Sequence, residues 1–108
     1  VNSKSDYLLR FIDKVAAKGK TKPVLIYEIF DGDDAEIIEL KSKTLNRFNE
    51  AINLYYSQQF VEAAKAFKEC EKGFPNDLTV QVYLKRCTQL KQQQPDANWD
   101  GVTRLESK

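Results

Sequence analysis

Three apolar stripes at helical spacing, separated by two short polar breaks, constrain this chain more than any other feature. Leu45, Phe48, Ile52 and Tyr55 form the first stripe, and Phe60, Ala63, Ala64, Phe67 and Phe74 the second. Val80, Tyr83, Leu84, Cys87 and Leu90 form the third. Ser57-Gln58-Gln59 is short enough to turn one helix straight back onto the next, and small Ala63 opposite Phe48 and Tyr55 lets the pair approach closely. Gly73-Phe74-Pro75-Asn76-Asp77 carries a helix stop and a restart. Gln92-Gln93-Gln94-Pro95 ends the third helix, because proline disfavours helix in the residue before it and cannot donate the next hydrogen bond. The pattern predicts a three-helix segment over 37–93 and an extended tail over 94–108, with Trp99 at least partly buried against it.

The residues before the helices read differently. Val24-Leu25-Ile26-Tyr27-Glu28-Ile29-Phe30 is short, aromatic and β-branched, which predicts a strand. A basic turn, Lys18-Gly19-Lys20-Thr21-Lys22-Pro23, precedes it. The stretch before that turn fits two templates: Leu8, Phe11, Ile12, Val15 and Ala16 fall at helical spacing, while Tyr7, Leu9, Phe11 and Val15 also fit alternation. Local pattern leans towards helix and leaves strand open. Asp31-Gly32-Asp33-Asp34-Ala35-Glu36 marks a boundary. It is not a calcium loop, since the sixth and twelfth positions counted from Asp31 hold Glu36 and Ser42 in place of glycine and a bidentate glutamate.

Composition excludes several classes of function. Lys and Arg number 17 against 16 for Asp and Glu, so no global field draws in nucleic acid or an anionic membrane. No run approaches the about 18 apolar residues of a membrane span, and no charged-then-apolar leader opens the chain. Cys70 and Cys87 lie inside helical patterns and lack the short paired spacings of zinc sites, so both are expected to be reduced, buried thiols of a cytoplasmic protein. There is no His for general-base work, no Gly-rich phosphate loop, and no constellation that calls for a metal or other cofactor within these 108 residues. The absence of Met, position 1 included, is what a piece of a longer chain would show.

The helical part resembles the tetratricopeptide repeat. Phe48, Tyr55, Phe60, Ala63, Phe67, Cys70 and Pro75 follow its order, with Ala63-x3-Phe67 and Pro75 at the usual spacing. Tyr55 to Phe60 is one residue short, which implies a tighter turn, and Ala51-Ile52 stands where Leu-Gly is usual. One repeat cannot bury its faces alone, so the third helix and the tail are expected to cover it. In that family the first helix of a repeat lines the binding face. Asn46, Asn49, Asn53 and Tyr56 share one side of it here and read either as a polar peptide-binding stripe or as a solvated face.

Both ends of the chain also resemble class III adenylate and guanylate cyclases. Lys18-Gly19-Lys20, Pro23-Val24 and Ile26-Tyr27-Glu28-Ile29 are similar to the last strands of the catalytic domain, where a Lys-Gly-Lys turn precedes a strand ending near Tyr-Glu. Pro95-Asp96-Ala97-Asn98-Trp99-Asp100-Gly101-Val102, with Leu105 and Lys108, looks like the tail of bacterial cyclases that carry a helical extension. The resemblance implies that the ambiguous stretch before Lys18 is a strand, that 1–36 are the last strands of a catalytic domain, and that Lys20 contacts substrate phosphate in the parent enzyme. It also implies a parent that uses Mg or Mn, forms a homodimer with shared sites, and carries any membrane anchor upstream. The metal carboxylates, base-recognition residues and transition-state Asn/Arg pair all lie upstream in the family, and Asp6 stands where an Asn-x3-Arg motif begun at Asn2 needs arginine. The expected fold is therefore α+β and mainly α: a β-hairpin, a tetratricopeptide-like helical hairpin, a third capping helix and a tail. The expected function is a non-catalytic interaction or regulatory module of a cyclase making cyclic AMP from ATP, its partners being the rest of that protein and a regulatory protein or peptide. A free-standing peptide-binding adaptor is the alternative.

Overall fold

The structure, a computed structural model, describes residues 8–17 and 22–104. Its elements run β1 (Leu9–Ala16), β2 (Val24–Ile29), α1 (Ala35–Tyr56), α2 (Phe60–Gly73), α3 (Leu78–Gln93) and β3 (Thr103–Arg104). The fold is α+β and mainly α, a β-hairpin followed by three helices. Two compact units divide it, one made of the described residues up to 33 with 100–104 and the other Asp34–Trp99.

The first unit is a sheet of order β2-β1-β3. β1 and β2 pair antiparallel, with Arg10 opposite Glu28 and Phe11 opposite Tyr27. These pairs explain why the helical spacing of Phe11, Ile12, Val15 and Ala16 does not produce a helix. The buried Arg10 guanidinium reaches the Glu28 carboxylate at 3.2 Å, and the rings of Phe11 and Tyr27 meet edge-on at 5.6 Å. Such contacts require a partner strand, so a count along one segment cannot register them. The register slips between Phe11 and Asp13, an irregularity of the kind a bulged residue makes. Past it, Thr103 Oγ1 donates to the Asp13 carboxylate, 3.2 Å from Oδ2.

That bond anchors β3, which pairs parallel to β1 through Val15–Thr103 and Ala16–Arg104. Within the segment expected to be an extended tail, residues 103–104 add a short third strand. Lys14 Nζ donates to the Asp100 carbonyl at 3.3 Å, and Asp100 caps its own turn by accepting from the Val102 N–H and from Arg104 Nη2, each at 2.9 Å. Those donors, the Val102 amide first, hold the Asp100 carboxyl below the usual carboxylate range.

In the second unit α1 packs on α2 and α2 on α3. Thr44 lies against Gly73, Phe48 against Phe67 and Tyr55 against Phe60, so partners advance along α1 as they recede along α2: the helices are antiparallel. The buried line of α1 is Lys41, Thr44, Phe48, Ala51, Ile52 and Tyr55. Thr44, and not the half-buried Leu45, occupies its first apolar level, because the α2 backbone comes in there. A Cβ on Gly73 would sit 2.9 Å from Thr44 Cγ2, and Cys70 Sγ lies 3.9 Å from the Thr44 carbonyl. On α2, Phe60, Ala63, Ala66, Phe67 and Cys70 are buried, while Ala64 lies half-exposed on the side of α3.

The tight turn expected between α1 and α2 is a Schellman closure. Gln58 adopts φ 63°, its N–H donates to Tyr55 O at 3.0 Å, and the Gln59 N–H donates to Leu54 O at 2.9 Å. Between α2 and α3 the chain restarts at Asp77, whose buried side chain accepts from the Thr79 N–H at 3.2 Å.

Candidate functional site

Of the residues singled out for binding, Lys20 lies outside the described residues. Asn46, Asn49 and Asn53 stand exposed on α1, spaced as one face of the helix requires. Tyr56, which continues that face, is half-buried and engaged within its own unit. Its hydroxyl lies 3.0 Å from that of Tyr83, and its ring stacks on Trp99 with centroids 6.2 Å apart. The asparagines thus border an aromatic cluster to which Tyr56 belongs.

Tyr55 is the hub of that cluster, edge-on to Phe60, Tyr83 and Trp99 at centroid distances of 5.7, 4.8 and 5.5 Å. Burial raises its phenol well above the ordinary tyrosine range. Trp99, arriving after α3, also meets Phe60 edge-on at 5.4 Å and so covers the turn end of the α1–α2 hairpin, where a lone repeat needs an apolar face covered. The Gln58 amide ties this return in place by donating to the Asp96 carbonyl at 2.8 Å.

Two surfaces were not singled out from the sequence. Across α1 and α2, Arg47 clasps Glu69 through Nε–Oε1 at 2.8 Å and Nη2–Oε2 at 2.9 Å, and its third nitrogen reaches Glu50 Oε1 at 3.0 Å. These bonds lower the Glu69 carboxyl and raise the Arg47 guanidinium. On the other side of α2 a groove of about 570 Å3 runs against α3, lined by Ala64, Lys68, Lys72, Cys87 and Lys91 among others. Burial pushes the Cys87 thiol up to about 11, as suits a packing residue more than a nucleophile. The 65-68-72 lysine spacing on α2 was present in the sequence, but only the fold brings Lys91 to it.

A third surface is the free edge of the sheet. Among the described residues β2 pairs on one side only, and its Val24, Leu25, Ile26, Tyr27 and Ile29 are each 39% to 60% exposed. Apolar side chains on both faces of one strand are the pattern of a strand meant for burial on both faces. Among the described residues no three of His, Cys, Asp and Glu come together as a metal-holding group, and no helix is long and apolar enough to cross a membrane.

Comparison with known proteins adds a relationship. Over 84 residues the chain is 34% identical to the terminal-differentiation-specific adenylate cyclase of Dictyostelium discoideum. This chain is related to an adenylate cyclase. The match covers 78% of the chain but 4% of that much longer protein. It is longer than the helical unit Asp34–Trp99, so it takes in residues of both units. No family model matches the chain, and no solved structure matches it significantly.

Proposed function

We propose that this chain is the non-catalytic C-terminal part of a class III adenylate cyclase, in which a tetratricopeptide-like helical unit regulates or assembles an enzyme that makes cyclic AMP from ATP. The observation that carries this is the similarity to an adenylate cyclase across both units, which makes the helices part of what the two proteins share. The exposed apolar strand β2 supports it, because such an edge calls for further sheet to pair with and layers to cover it. Lys20 would then bring a flexible ammonium to the substrate polyphosphate. The carboxylates that hold Mg or Mn, and the groups that recognise the base, belong to the upstream chain. So does any membrane anchor, this part working in the cytoplasm within a homodimer.

The test is nucleotide turnover by the full-length parent supplied with Mn-ATP and Mn-GTP, beside the 108-residue chain alone. Cyclic AMP from the parent and nothing from the short chain is the expected result. No product from the parent with either nucleotide would contradict the cyclase reading and favour the second one, a peptide-binding adaptor. That alternative rests on Asn46, Asn49 and Asn53, which stand exposed in line on α1.

A further inference from the structure

We propose that the groove between α2 and α3 is a docking site for an acidic, amphipathic helix of a partner protein. Its shape is linear. The main hollow shares Ala64, Lys68 and Thr88 with a second one that reaches Gln81 and Lys85. At the other end it shares Phe60, Val61 and Lys91 with a third that reaches Gln94 and Pro95. The three make one trough along α3 from Gln81 to Gln94, roughly 20 Å at 1.5 Å per residue, the length of a helix of about four turns. A stacked helical repeat offers its next neighbour a trough of this kind, between two helices already packed together.

The lining specifies the occupant. Along the floor lie Ala64, Cys87 and Leu84, and Val61 stands 46% exposed at the margin, so apolar side chains are needed to cover it. The rims are mainly basic: Lys65, Lys68 and Lys72 follow one another on α2, with Lys91 and Lys85 on α3, while Glu71 at the Gln81 end accepts from the Gln81 amide at 2.6 Å. Lys65 has only a long contact to Glu62, at 3.9 Å, and Lys68, Lys72 and Lys91 make no ion pair with any described residue. Glu69, which also borders the groove, gives both its oxygens to Arg47 and meets Lys72 only as a neighbouring charge, with no hydrogen bond to it. On a chain whose net charge is only +1, five lysines along one trough are a local feature. Their spread along an apolar floor suits glutamates flanking a leucine stripe better than a single phosphate or a nucleic-acid backbone. The inference concerns this surface alone and stands whether or not the parent cyclises a nucleotide.

The probe is a synthetic helical peptide of about 14 residues, the length of the trough, with leucine at i, i+4 spacing and glutamate on both flanks. A lysine-flanked version serves as control, and amide shifts of the isotope-labelled 108-residue chain are followed by NMR. Shifts confined to α2 and α3, no response to the control, and affinity falling about tenfold or more in Lys68→Glu/Lys72→Glu and at high salt are expected. The exposed positions leave the variant folded, which circular dichroism checks, and Lys68→Gln/Lys72→Gln gives a milder loss. The proposal is overturned by absence of binding at about 1 mM peptide, a weak limit on the affinity scale. Shifts that map to α1, or equal affinity in the charge-reversed variant, overturn it too. A concentration-dependent dimer that the charge reversal disperses would make the occupant a second copy and overturn it likewise.

Discussion

Gly73 is a helix residue whose missing side chain matters more than its backbone freedom. A methyl group there meets Thr44 Cγ2 at 2.9 Å, closer than real contacts of this kind, inside a packed interface. Gly73→Ala is expected to destabilise the helical unit by about 1–2 kcal/mol despite alanine's better helix propensity. Thr44→Ser, which removes that methyl, should recover most of the loss in a double-mutant cycle read by urea denaturation. Asp77→Ala removes the buried cap of α3 and should cost about 1–2 kcal/mol in the same assay. Cys87 and Tyr55 are expected to contribute to a loss of stability at alkaline pH. Both titrate higher in the fold than in the unfolded chain, so above about pH 9 the unfolded state binds fewer protons and stability falls, through about 11 for Cys87. Cys87→Ala is expected to flatten that decline between pH 9 and 11, and an unchanged slope would show that Cys87 does not contribute to it.

At the scale of elements, what a sequence displays depends on whether the deciding contact is local. α1, α2 and α3 are legible because each carries its own apolar stripe and stop signals, and the one-residue difference between Leu45 and Thr44 comes from the α2 backbone, which the stripe does not encode. β1 is not legible from its own residues, since Arg10–Glu28 and Phe11–Tyr27 exist only with β2 in place; the family resemblance supplied what periodicity could not. β3 is two residues long and is fixed by Asp13 from 90 positions away, so no local signal announces it. The candidate binding residues follow the same rule. The asparagine face was readable from spacing, whereas the engagement of Tyr56 by Tyr83 and Trp99, and the joining of α2 lysines to Lys91, needed the fold. β2 yields a prediction of its own: Val24→Lys/Ile29→Lys, at 59% and 60% exposure, should leave the melting temperature of the 108-residue chain nearly unchanged yet reduce dye binding and self-association. If those side chains pack against more of the parent, the same pair should unfold or inactivate the full-length protein.

For the whole molecule, the division into two units bears on how the parts can be separated. Residues up to Trp99 belong with the helices, and those from Asp100 return to the sheet through Asp13, Lys14 and β3. Cutting the chain after Phe30 therefore removes a strand along with the helices, while excising 34–99 removes the helical unit alone. Trp99 is the sole tryptophan and lies in the aromatic cluster, so its fluorescence reports the helical unit without interference. The measurement that bears most directly on the central claim is the rate of cyclic AMP formation by the full-length parent and by a version in which a flexible linker replaces 34–99. The shortened protein is expected still to make cyclic AMP, at a rate or with a subunit association clearly different from the intact enzyme. Equal rates and equal association in the two proteins would contradict a regulatory or assembly role for the helices.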